Sequence, residues 1–127
     1  AHARLREALP GVKLVQVLHV LDERTVAEAL AVAPHVDALL LDSGNPTLAV
    51  KELGGTGRRH DWKISRKIVE SVSVPVFLAG GLNAANVREA IETVQPFGID
   101  VCSGVRTSGK LDAEKLAAFV NLVRGSE

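Results

Sequence analysis

Two short stretches of this sequence, Leu78-Ala79-Gly80-Gly81-Leu82 and Cys102-Ser103-Gly104-Val105, place small residues at the ends of apolar runs. Glycine lets a backbone approach an anion and present N–H groups with no Cβ in the way. Gly80, Gly81, Ser103 and Gly104 are therefore candidates for gripping a phosphate. Asn83, just beyond the first stretch, can open a helix whose dipole adds partial positive charge. Tight turns without a ligand would use the same residues. The repetition of the pattern after consecutive apolar runs favours the anion site.

Asp42 closes the run Leu39-Leu40-Leu41-Asp42 and, by the alternation of a strand, shares a face with Leu40 and Ala38. A carboxyl group above apolar surface resists ionisation, which suits a general acid. A capping aspartate that binds the N–H groups of the next turn is the competing reading. Asp100, in Gly98-Ile99-Asp100-Val101-Cys102, is a charged residue inside an apolar run, where burial calls for a partner or a task. It can pair with a neighbouring cation or accept a hydrogen bond from a substrate amine.

The stretch Gly54-Gly55-Thr56-Gly57-Arg58-Arg59-His60-Asp61-Trp62 joins flexible backbone to two guanidinium groups. Gly55 and Arg58 are candidates to fold over an anionic substrate as part of a lid, with a plain solvated loop as the alternative. The spacing does not fit a P-loop. His19 ends an apolar run and reads more readily as a surface residue than as a site residue. Cys102 reads as a small buried hydrophobe. No cysteine and histidine spacing suits a metal, so no metal is expected.

The bulk numbers set the bounds. The chain has 127 residues, 46% hydrophobic and 24% charged, which suits one domain or part of one. Fifteen basic residues balance fifteen acidic ones, so no overall field draws in nucleic acid or an anionic membrane. A single cysteine excludes an intrachain disulfide and points to a reducing, cytoplasmic setting. The apolar runs are of strand length, far short of the roughly 20 residues of a membrane helix. The absence of methionine fits a fragment of a longer chain as well as it fits removal of a start residue.

These residues need elements to position them. Apolar, β-branched-rich runs at 14–20, 36–41, 76–79 and 99–102 predict four strands buried in a parallel sheet. Helices follow each, capped by Asp22, Asp61, Asn83 and Asp112, and residues 3–9 read as the tail of another. Residues 43–61 form the one long connection, and connections of that length tend to be functional. The order is a β-α alternation with right-handed crossovers. None of the four runs is blunted by charge as edge strands usually are. A closed (β/α)8 barrel removes edges but needs about 200 residues or more. The chain therefore reads as half a barrel, the rest coming from a missing segment or a second chain.

Taken in order, four stretches resemble the phosphoribosylanthranilate isomerase family of tryptophan biosynthesis. They are Leu40-Leu41-Asp42-Ser43, then Gly54-Gly55-Thr56-Gly57 ending in Asp61-Trp62, then Leu78-Ala79-Gly80-Gly81-Leu82-Asn83 with Asn86-Val87, and Asp100-Val101-Cys102-Ser103-Gly104-Val105. The resemblance covers nearly the whole chain and implies strands five to eight of a TIM barrel, with residues 1–127 as the C-terminal half of one domain. It also implies a cofactor-free Amadori rearrangement of a phosphorylated sugar, in which a general acid opens the ribose ring and a general base removes the proton from the adjacent carbon. Asp42 matches the acid, Asp100 an aspartate near the substrate amine, and Gly80, Gly81, Ser103 and Gly104 the phosphate positions.

The departures are specific. The family's base is a cysteine after its first strand, and nothing here corresponds to it, so this chain alone should be inactive. Arg106 stands where members usually carry glutamate, and Arg58-Arg59-His60 replaces a lysine and an aromatic residue in the lid. A different phosphosugar-acting barrel enzyme, or a non-catalytic half-barrel that binds phosphate, are the alternatives.

Overall fold

The computed structural model describes residues 2–42 and 56–125, and of residues 56–61 only the helical backbone. The elements run α1 His2–Ala8, β1 Val15–His19, α2 Arg24–Val32, β2 Ala38–Asp42, α3 Thr56–Ser71, β3 Val76–Ala79, α4 Val87–Val94 and β4 Gly98–Ile99. A small hairpin, β5 Arg106–Thr107 and β6 Lys110–Leu111, precedes α5 Ala113–Arg124. Strands β1 to β4 form one parallel sheet in sequence order, as the β-α alternation predicts.

The register assigns every side chain to a face. His19 lies opposite Asp42, Asp42 opposite Ala79, and Leu78 opposite Ile99. One face therefore carries Leu18, Leu39, Leu41, Val76, Leu78 and Ile99, and the other carries Val15, Val17, His19, Leu40, Asp42, Phe77, Ala79 and Gly98. Leu39, Leu41 and Leu78 are fully buried and cluster with Ala29 of α2, Ile64 and Ile68 of α3, Val87, Ala90 and Val94 of α4, and Phe119 of α5. Each buried leucine contributes about 1.5–3 kcal/mol relative to exposure.

The second face is different. None of its residues joins that cluster, and Val15 and Val17 are 51% and 46% exposed. Parallel sheets ordinarily have both faces covered. Among the described residues this sheet is covered on one.

Local chemistry explains the element ends. Asp112 accepts the N–H groups of Glu114 and Lys115 at 3.0 and 3.1 Å, the predicted N-cap of α5. The N-cap of α2 is Glu23, with no side-chain cap bond, and the predicted cap Asp22 lies one residue earlier, where its Oδ1 accepts the Arg24 N–H at 2.9 Å. Helix α4 ends on Gln95 in the left-handed conformation (φ 52°), with Pro96 next to stop it.

Four expectations are corrected. Helix α3 starts at Thr56, so Asp61 lies inside it rather than capping it, and most of the supposed lid stretch is helical. Strand β4 has only two residues, and Asp100 sits just past its end, exposed, instead of mid-strand. Its N–H still donates to the Leu78 carbonyl at 2.8 Å, which extends the ladder by one bond. Cys102 is exposed, because the chain turns away at Ser103–Val105 immediately after it. The 106–111 hairpin was not foreseen. It turns on Ser108 and Gly109, both with positive φ (53° and 78°), the signature of a two-residue hairpin turn.

Candidate active site

The two glycine stretches lie at the C-terminal ends of β3 and β4, and the backbone there is built to bring them together. Gly80 and Gly81 adopt φ values of 100° and 65°, a region that side-chain-bearing residues rarely enter. The chain can therefore reverse directly off the last residue of β3. Two asparagines then fix the loop reciprocally. Asn83 Oδ1 accepts the N–H groups of Ala85 and Asn86 at 2.9 and 3.2 Å, while Asn86 Oδ1 accepts the Asn83 N–H at 2.9 Å. Asn86 Nδ2 also donates to the Gly81 carbonyl at 2.9 Å. This is the logic of a capping box, carried out by two amides one turn before α4 begins at Val87. Asn83 thus caps a preparatory turn rather than the first residue of the helix.

The second loop packs onto the first through Gly104. A Cβ at that position would collide with the Leu82 carbonyl oxygen and press on Asn83 Cα. Glycine is therefore needed for close approach between two backbones, a use of the residue independent of any turn. Between the loops lies an open cleft of about 530 Å3 lined by residues 81–85 together with Ser103, Gly104 and Lys115. Gly81, Ser103 and Gly104 of the predicted phosphate set meet there, and Gly80 sets up the turn that delivers Gly81. Lys115, in the first turn of α5, is the lining residue that sequence reasoning missed. Nothing in its spacing marks it, because its place depends on how α5 returns over the loops.

Asp42 ends β2 on the bare face, as the alternation predicted. Its backbone carbonyl accepts the Val20 N–H at 3.0 Å, and its carboxylate Oδ2 lies 3.7 Å from His19 Nδ1. Its side chain is 31% exposed. Asp100 lies just past the end of β4, at the same strand-end rim. Since β3 separates β2 from β4, the two aspartates stand about 10 Å apart across the sheet. Gly55 lies outside the described residues, as does the side chain of Arg58. No group of three metal-ligating side chains occurs among the described residues.

Glycine loops and acidic side chains sharing the C-terminal rim of parallel strands is where α/β folds bind ligands. The model of the family described as N-(5'-phosphoribosyl)anthranilate (PRA) isomerase matches residues 2–122. This chain belongs to that family. The N-(5'-phosphoribosyl)anthranilate isomerase of Haloferax volcanii is 48% identical over 107 residues, covering 84% of this chain and 47% of the relative. That of Methanocella arvoryzae is 41% identical over 124 residues, covering 97% of this chain and 55% of the relative. Among solved structures, the phosphoribosyl anthranilate isomerase of Thermococcus kodakaraensis matches with a TM-score of 0.76 at 36% identity, over 96% of this chain and 56% of that one. The Thermotoga maritima enzyme matches with a TM-score of 0.77 at 31% identity, over 98% and 58%. The α/β fold with its parallel sheet is thus the one these enzymes contain. The chain spans about half the length of the curated relatives it matches.

Proposed function

We propose that this chain carries the phosphate grip and the general acid of a PRA isomerase, the enzyme that rearranges N-(5'-phosphoribosyl)anthranilate in tryptophan biosynthesis. The observation that carries the reading is the shared rim. Two interlocked glycine loops, Asp42 and Asp100 all sit at the C-terminal ends of the strands, and Asp42 lies on the bare face. In this reading Gly80, Gly81, Ser103 and Gly104 hold the substrate phosphate through backbone N–H groups. Asp42 donates a proton to the ribose ring oxygen as the ring opens. Asp100 accepts a hydrogen bond from the anthranilate amine. Gly55, and Arg58 in the first turn of α3, reach over the substrate. The base that removes the proton from the adjacent carbon lies outside these 127 residues.

The same proposal covers the architecture. The four βα units are half of a single (β/α)8 barrel domain, and the bare face is the barrel interior. Its half-exposed Val15 and Val17 would be buried there by strands from the rest of the chain or from a second one. The chain's coverage of about half of its relatives supports this. The test is complementation of a tryptophan auxotroph lacking PRA isomerase by the complete coding sequence that contains this chain. Growth without tryptophan is the expected result. Failure by a protein shown to be expressed and folded would favour another phosphosugar substrate.

A further inference from the structure

The backbone cradle between the two glycine loops leaves one question of charge. Of the described residues lining the cleft, Gly81, Leu82, Asn83, Ala84, Ala85, Ser103 and Gly104 are uncharged, and Lys115 carries a full charge. A phosphate dianion held only by amide dipoles would gain less than one that also meets an ammonium group.

Lys115 is placed by two separate contacts. Its backbone N–H donates to Asp112 Oδ1 at 3.1 Å, which fixes it in the first turn of α5. Its ammonium Nζ donates to the Arg106 carbonyl at 3.0 Å, which holds the side chain against the segment that leaves Gly104. A lysine ammonium has three N–H donors, so two remain after that bond. Asp112, which the Lys115 charge also reaches, has both carboxylate oxygens engaged, Oδ1 with the turn's N–H groups and Oδ2 with the Thr107 hydroxyl at 2.6 Å.

We infer that Lys115 is a phosphate-binding residue, the side-chain cation of a site otherwise made of backbone. The inference rests on the phosphate reading of the cleft and adds a residue to it. Lysine suits such a place because it acts as a compact point charge and needs no fixed fork geometry. The bond to Arg106 has a second consequence. It keeps the ammonium group at the cleft before any ligand arrives, so less side-chain freedom is lost on binding.

The complete protein that contains this chain is the one to test, since one face of the sheet is uncovered among the described residues. Inorganic phosphate is titrated at low ionic strength against 15N-labelled protein, following the amides of Gly81, Ser103 and Gly104. The wild type should show saturable shifts. Lys115→Gln should weaken binding by about fivefold or more, and Lys115→Arg should stay within about twofold. Lys110→Gln removes the same charge from the nearby hairpin, away from the cleft, and should leave binding unchanged. Should Lys115→Gln fail to fold, the ζ-ammonium signal of Lys115 in the wild type must move with phosphate while that of Lys110 does not. Normal binding by Lys115→Gln, or an unmoved Lys115 signal, overturns the inference and leaves the cleft's phosphate reading intact. A wild type that shows no saturable shift overturns both.

Discussion

His19 and Asp42 face each other as register partners at the ends of adjacent parallel strands, with Nδ1 and Oδ2 3.7 Å apart. The pair sits on the bare face of the sheet, at the rim where the glycine loops also converge. The contact is longer than a hydrogen bond, and the imidazole is 64% exposed. Exposed pairs of this kind contribute about 1 kcal/mol at most. His19→Ala should therefore lower turnover of the complete enzyme by no more than about fivefold. A loss comparable to that of Asp42→Asn in steady-state kinetics would make His19 part of the chemistry itself.

Gly104→Ala tests the interlock of the two loops. Its Cβ would strike the Leu82 carbonyl, a backbone atom that cannot swing aside, so a cost of about 1–3 kcal/mol in urea unfolding is expected. Gly98→Ala is the contrast. There the Cβ would meet the Phe77 ring at 2.8 Å, and that ring lies on the bare face, where it can move. The expected order is Gly104→Ala clearly worse than Gly98→Ala. The reverse order would mean that the loops are not packed as described.

Asp112 carries a pH signature. The Thr107 hydroxyl, and then the N–H groups of Lys115 and Glu114, hold its carboxyl below the ordinary aspartate range. The folded state thus binds its proton less readily than the unfolded state. Its contribution is fully present above about pH 4 and is lost as the pH falls further, through the folded value. Asp112→Ala should lower stability near neutral pH through the lost cap, and the difference from wild type should shrink towards pH 2. Urea titrations at both pH values check this, and a gap that widens in acid would contradict it.

The two faces of the sheet should respond differently to substitution. Leu41→Ala, on the helix-covered face, should destabilise this chain by about 2–5 kcal/mol. Val17→Ser, on the bare face, should stay within about 0.5 kcal/mol in the same chain. In a completed barrel Val17→Ser should become much more costly. Equal effects in this chain alone would show that something already covers the bare face.

These relationships were unevenly legible in the sequence. Asp42 could be assigned to its face because side chains alternate along a strand, which groups it with Ala38 and Leu40. The Asp112 cap was readable because capping is local chemistry. What failed to show were features set by distant contacts. Strand β4 stops after two residues, with β3 as its partner among the described residues, so the apolar run alone overstated its length. Cys102 looks buried by composition but sits where the chain leaves the sheet. Leu30 fits the helical stripe of α2 yet is 49% exposed, while Thr25 is buried in its stead and its hydroxyl accepts the Leu21 N–H. Lys115 was invisible for the same reason: its meaning comes from the return of α5 over loops well before it in sequence.

The account rests most heavily on Asp42 as the acid at the end of β2. The direct measurement is turnover of N-(5'-phosphoribosyl)anthranilate by the complete enzyme containing this chain, wild type against Asp42→Asn, alongside phosphate binding by both. The account predicts at least about a 10²-fold fall in kcat with phosphate binding unchanged. Near-normal turnover by Asp42→Asn would contradict it and reduce Asp42 to a residue that shapes the rim.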